Sequence, residues 1–225
     1  MAAEVERAFG LRARVDNDAN AAALAEAIWG AAVAYSNVFY ATLGTGIGTG
    51  IVFDRGIYHG RTGSAAEGGH LSIDYRGPRC GCGKRGCIEA LCSGPAIAAR
   101  ARARLAESTQ PSLMRELTAG DLNRLSAEMV AEAFRQNDMQ ARKVLEETAD
   151  LLAVWLGNIV DFLEPDVMVF GGGVAQLMSE FFNHIRSELP RWTINARCTE
   201  IPLLLAKYGS DAGIAGAAAL CRSET

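Results

Sequence analysis

The stretch "CGCGKRGC" at 80–87 sets three cysteines within eight residues of a glycine-filled loop short enough to wrap one ion. Thiolates from Cys80, Cys82 and Cys87 can wrap one ion, and His70, ten residues before Cys80, offers the fourth ligand of a tetrahedral Cys3His zinc site. Four protein ligands make such a site structural. The alternative is free thiols or a local disulfide, but Cys-Gly-Cys is strained for a bridge and one cysteine would be left over. Cys92, Cys198 and Cys221 have no tight partners and read as small buried hydrophobes. The opening "MAAEVERAFG" is amphipathic and carries two acids, unlike a secretory leader, and no run reaches the ~18 apolar residues of a membrane span. A cytoplasmic, thiol-reducing setting is the expectation.

The rest of the chain must supply the core, and 225 residues at 49% hydrophobic suffice for one large domain or two small ones. A net charge of −4 gives no general attraction to nucleic acid or anionic lipid, and the one dense basic run, Arg100 to Arg104, alternates with alanine as a solvated helix face does. Helical and strand-like segments alternate, which predicts an α/β architecture. "LRARVD" reads as a short strand. "NDANAAALAEAIWG" reads as a helix starting at Asn17 or Asp18 and stopping at Gly30. Helical patterns follow at 94–106, 126–136 and 138–163, "CTEIPLLLA" reads as a strand, and "SDAGIAGAAALC" as a small-residue helix able to pack closely.

Two glycine-rich turns stand out. "GTGIGTG", between β-rich runs, is either a tight hairpin or a phosphate cradle in which Thr45 and Thr49 add hydroxyl donors; it lacks the Gly-Lys-Ser/Thr of a Walker loop. "VFGGGVA" has the strand, glycines and helix that set a backbone beneath a nucleotide, or it is a structural turn. His59 and His184 have no partner legible in sequence and read as surface or capping residues.

In this order, "VDNDANAAALAE", "LGTGIGTGIVFDRGIYHG", "AAEGGH", "CGCGKRGCIEA" and "VFGGGVA" resemble the ROK family of bacterial sugar kinases and sugar-responsive repressors, over nearly the whole chain. The resemblance implies an actin-like (ribonuclease H-like) α/β fold of two lobes with nucleotide and sugar between them. It implies Asp18 as catalytic base, although the residues alone allow Asn17 or Asp18 to be a helix cap. It implies Asn17, Glu67, His70 and Glu89 as sugar ligands, with His70 meeting sugar through one ring nitrogen and zinc through the other. The zinc loop would then fix the direction of His70 and Glu89. Gly44, Thr45, Gly46 and Gly48 would hold the terminal phosphates of ATP, Gly171, Gly172 and Gly173 would lie beneath its adenosine, and magnesium would bridge the phosphates.

The family pattern begins with a strand and an Asp-x-Gly-x-Thr phosphate hairpin, whereas here the sequence opens inside the helix before "VDNDAN". The expectation is therefore an incomplete N-terminal lobe at 1–35, with the helix at 210–225 packed on it, and a large C-terminal lobe at 36–209. Impaired turnover and pairing with a second copy or a complementing polypeptide are expected. Three functional readings follow: an ATP-dependent hexose kinase acting on glucose or an aminosugar, the effector-binding part of a repressor, or a non-catalytic sugar-binding remnant. Intact phosphate glycines and Asp18 favour the kinase.

Overall fold

The computed structural model describes residues 2–222, so Met1 and residues 223–225 of the expected C-terminal helix lie outside the described residues. Among the described residues the ten helices are α1 (Ala2–Phe9), α2 (Asp18–Trp29), α3 (Ile88–Cys92), α4 (Gly94–Glu107), α5 (Leu113–Leu117), α6 (Ala127–Arg135), α7 (Met139–Leu163), α8 (Gly173–Met178), α9 (Phe182–Glu188) and α10 (Ala212–Arg222). Five strands, β1 (Asn37–Leu43), β2 (Ile47–Phe53), β3 (Gly56–Ile57), β4 (Val167–Gly171) and β5 (Leu203–Leu205), form one mixed sheet in the order β3-β2-β1-β4-β5. β1 pairs antiparallel with β2 across the glycine turn, Leu43 opposite Ile47, and parallel with β4.

Alternation along the central strands builds two cores. Phe39, Ala41 and Leu43 of β1, with Met168 and Phe170 of β4, face the large cluster made with α4, α6 and α7, where Phe39 meets Trp155 edge to face at 5.6 Å between ring centroids. Val38, Tyr40, Val167 and Val169 face the other way onto α2. A buried strand pair with both faces apolar requires helices on both sides, and the alanine-rich α2 supplies the second layer.

The side chain of Asn17 accepts from the backbone N–H groups of Ala19 and Asn20, so Asn17 caps α2, and Gly30 ends it. Helix α2 lies between the sheet and α10 at very short range. A Cβ on Gly50 would sit 2.7 Å from the Ala19 carbonyl oxygen, and one on Gly216 of α10 would sit 2.8 Å from the Ala21 backbone. Only small residues permit this spacing, which is why α2 is rich in alanine and α10 in alanine and glycine.

Glu26 is 1% exposed within α2, yet it is fully engaged: Oε2 accepts from the N–H of Ala31 at 2.7 Å and Oε1 from that of Tyr208 at 3.1 Å. It therefore fastens the loop after α2 and the approach to α10. Glu26→Ala leaves two backbone donors without an acceptor and should lower stability by about 3 kcal/mol in urea unfolding, whereas Glu107→Ala, on an exposed position, should change it by less than about 0.5 kcal/mol.

Four sequence expectations require correction. Residues 11–16 join no sheet: they run as irregular chain with Leu11 and Val15 exposed, since neither edge of the five-stranded sheet takes them as a ladder partner. In "CTEIPLLLA" only Leu203–Leu205 pairs, after a 3-10 turn at Cys198–Glu200 and Pro202, which has no N–H to donate. Arg100 is not on a solvated face but folds against α7, donating to the carbonyl of Val144 at 3.0 Å and to the Thr148 hydroxyl. Cys92 and Cys198 are buried as expected, but Cys221 is exposed.

Candidate functional site

The first four residues of β2 gather the candidate groups. On one side, Cβ atoms on Gly48 and Gly50 would touch Ala19 at 3.2 and 2.7 Å, which seats the N-terminus of α2, with Asn17 and Asp18, against the strand. On the other, the side chains of Ile47 and Thr49 meet the "EGGH" turn. Thr49 is buried; its hydroxyl donates to the Ala66 carbonyl and accepts from Gly68 N–H at 2.8 Å. That corrects its expected role as a phosphate donor, because both of its hydrogen-bonding functions are engaged in holding this turn. The indole N–H of Trp155 on α7 donates to the Gly68 carbonyl at 3.1 Å from beneath. A Cβ on Gly69 would fall 1.9 Å from the Ile47 carbonyl oxygen, so the turn can press onto β2 only with glycine there.

Ala66 has φ +62°, a conformation a non-glycine residue adopts only when its surroundings impose it. The Thr49 hydrogen bond to its carbonyl is that constraint, and the turn it produces delivers Glu67 to the surface and His70 to a half-buried position. Glu89, in the first turn of α3, completes the group. Its Oε2 accepts from Ile47 N–H at 2.9 Å, and its Oε1 lies 3.8 Å from both His70 Nδ1 and Cys80 Sγ. A Cβ on Gly46 would collide with Glu89 at 2.7 Å, which explains glycine at that point of the hairpin.

The metal-ligand set assembles as the spacing predicts. His70, Cys80, Cys82 and Cys87 place one donor atom each within 4.8 Å of one another. Cys82 and Cys87 sulfurs are 3.7 Å apart and Cys80 Sγ is 3.6 Å from His70 Nδ1. Tetrahedral zinc with Zn–S near ~2.3 Å requires donor separations of about 3.8 Å, so this set fits the ion and is too open for a disulfide. Burial, with the neighbouring sulfurs, pushes the Cys87 thiol up to about 12, while the Lys84 backbone N–H draws Cys82 down. The loop's geometry depends on Gly86, whose φ is +61° and whose Cβ would lie 1.6 Å from the Asp74 carbonyl oxygen.

The two glycine turns also meet. Gly94 N–H at the start of α4 donates to Gly44 O at 2.7 Å, and Gly172, at φ +90°, lies so close to the end of β1 that a Cβ would be 2.3 Å from the Leu43 carbonyl oxygen. Beside them opens a cleft of about 850 Å³ lined by Gly44, Thr45, Gly94, Ser126, Glu128 and Gly173, among others. Gly46 lies against Glu89, Gly48 against Ala19 and Thr42, and Gly171 against the Tyr40 hydroxyl. Asp18, exposed at the first position of α2, accepts from Ala19 N–H through Oδ1 at 2.8 Å.

Sequence reasoning left both His59 and His184 without partners. His59 Nε2 lies 2.6 Å from Asp16 Oδ2 and His184 Nε2 lies 2.8 Å from Asp150 Oδ1. Both pairs join residues more than thirty positions apart, so no local pattern announces them.

A mixed α/β sheet with helices on both faces, two adjoining glycine turns and a Cys3His loop is the framework of an actin-like fold, shared with the solved ROK glucokinases. The chain matches the ROK family over residues 1–224, and it belongs to that family. It is 31% identical over 219 residues to a glucokinase of Thermotoga maritima, covering 97% of this chain and 68% of that enzyme. A ROK-family glucokinase from Streptomyces griseus, solved in complex with glucose and AMPPNP, superposes with a TM-score of 0.85 at 34% identity, covering 97% of this chain and 71% of that one. A ROK-family transcriptional regulator, a homologue of the E. coli MLC protein, gives the same TM-score at 28% identity, covering 97% of this chain and 54% of the regulator. Among the described residues no helix is long and apolar enough to cross a membrane.

Proposed function

We propose that this chain carries the sugar and nucleotide sites of an ATP-dependent hexose kinase, with glucose as the first substrate to test. The observation that carries the reading is the convergence on β2: the N-terminus of α2 bearing Asn17 and Asp18, the turn bearing Glu67 and His70, and Glu89 all lean on residues 47–50, next to the 44–46 turn at the cleft. The glucose and AMPPNP held by the S. griseus relative support it. In this reading Asn17, Glu67, His70 and Glu89 hold the sugar hydroxyls. Asp18 accepts the proton of the attacking hydroxyl as its oxygen bonds to the γ-phosphorus and the bond to ADP breaks. Gly44, Thr45, Gly46 and Gly48 face the phosphates, and Gly171, Gly172 and Gly173 lie toward the adenosine. Magnesium, when bound with ATP, supplies charge neutralisation between the phosphates. Zinc on His70 Nδ1 and the three cysteines leaves Nε2 of the same ring for the sugar. The division into 1–35 with the last helix, and 36–209, belongs to this proposal.

Calorimetric titration separates the sites. Glucose and AMPPNP with magnesium should each bind the unaltered chain once, and coupled ADP release across a panel of hexoses then identifies the acceptor. Absence of AMPPNP binding with glucose binding intact would favour the second reading, the effector-binding part of a repressor, and absence of both would end the reading.

A further inference from the structure

Asp16 and His59 come from different parts of the chain and meet at the root of both halves of the candidate sugar site. Asp16 directly precedes Asn17 and Asp18, and its side chain is 12% exposed. Its Oδ1 accepts from Asn17 N–H at 2.8 Å and from the Asn20 side chain at 3.0 Å, leaving Oδ2 for His59 Nε2 at 2.6 Å. Burial alone would raise this carboxyl, but the hydrogen bonds from His59 and Asn20 outweigh it and hold the group below its ordinary value. Asn20 is itself buried, at 3%, so the carboxylate is held from the helix side by a side chain with little freedom.

His59 occupies the corresponding place on the other segment. Tyr58 N–H is fixed to the Ile51 carbonyl at 2.8 Å, and the His59 carbonyl accepts from Ala65 N–H at 3.2 Å, closing a loop around Gly60 and Gly63, both at positive φ. Ala66 and Glu67 leave that loop directly. Gly60 and Gly63 both precede Ala66, the strained residue that aims Glu67, and the His59 ring ties this loop to the segment carrying Asp18.

We propose that the Asp16–His59 hydrogen bond is a clasp that positions the sugar site, tying the segment that bears Asn17 and Asp18 to the loop that delivers Glu67. The two residues set sugar affinity without touching sugar. The inference rests on the sugar-site reading above and adds a determinant to it. A short, charge-assisted bond of this kind is among the stronger hydrogen bonds, discounted here because the His59 ring is 48% exposed.

His59→Ala should weaken glucose binding about five- to tenfold by calorimetry and leave AMPPNP affinity within about twofold, since the nucleotide cleft is lined by other segments. His59→Gln, whose amide can donate to the same carboxylate, should restore most of the glucose affinity. Independently of any ligand, hydrogen exchange at residues 60–67 should quicken in His59→Ala and return toward the original rate in His59→Gln. Unchanged glucose affinity and unchanged exchange in His59→Ala would overturn the clasp. So would equal losses in the Ala and Gln variants, which mark a merely steric role. If the unaltered chain binds no glucose, the sugar-site reading fails and the clasp's functional role with it; quickened exchange alone then reports a structural tie.

Discussion

Asp18→Ala should lower phosphoryl transfer to glucose about a thousandfold, in the chain complemented by a polypeptide that supplies the family's Asp-x-Gly-x-Thr phosphate hairpin, while glucose affinity stays within about threefold. The base acts on a proton that becomes acidic only as the oxygen attacks phosphorus, so its removal is felt in the transition state and hardly in the bound substrate. The structure leaves Asp18 free for this. Asn17 receives both N–H groups at the helix start, from Ala19 and Asn20, and Asp18 only shares the Ala19 N–H through a single oxygen. Helix α2 should therefore survive the substitution, with a melting temperature close to the original. Single-turnover ADP release read beside calorimetry checks the split; a variant keeping most of its transfer rate would reduce Asp18 to a helix-terminal residue.

Cys82→Ser should remove zinc and with it most sugar binding, at little cost to the nucleotide cleft. Protein purified without added metal should carry about one zinc per chain by elemental analysis, and the variant should carry far less. Cys82 is exposed, so the change leaves the core untouched and acts through the ion. Without the ion His70 and Glu89 lose their common anchor, since Glu89 Oε1, His70 Nδ1 and Cys80 Sγ sit within 3.8 Å of one another. Supporting interactions of this type are worth about 10- to 100-fold in the function of the groups they orient, and glucose affinity should fall in that range. AMPPNP affinity should be unchanged. Full zinc retention in Cys82→Ser would refute the ligand assignment, and undiminished glucose affinity after zinc loss would refute the orienting role.

Much of the framework was legible because its signals are local. The N-cap and glycine stop of α2, the hairpin around 44–46, the long apolar α7 and the Cys3His spacing each depend on residues near one another in sequence, where φ/ψ preference and side-chain capping act directly. The strand expected at 11–16 shows the limit of such signals. An apolar alternation states that a segment can pair, and pairing needs a neighbour that the segment itself does not encode.

Thr49 shows the same limit within the site. Its place in "GTGIGTG" suggested phosphate, but the strand's alternation turns its hydroxyl inward, where an unsatisfied polar group would be costly, and the "EGGH" turn supplies both partners. The sequence by itself determined the α/β class, the donor set for a metal and the glycines that allow backbone to approach backbone. Tertiary structure alone decided that α2, the "EGGH" turn and α3 lean on the same four residues of β2, that Ala66 is held in a left-handed conformation and that Asp16 meets His59. Such meetings join groups tens of residues apart, and they are settled by which faces the sheet buries and how closely small residues let the helices approach, quantities that exist only once the chain is packed.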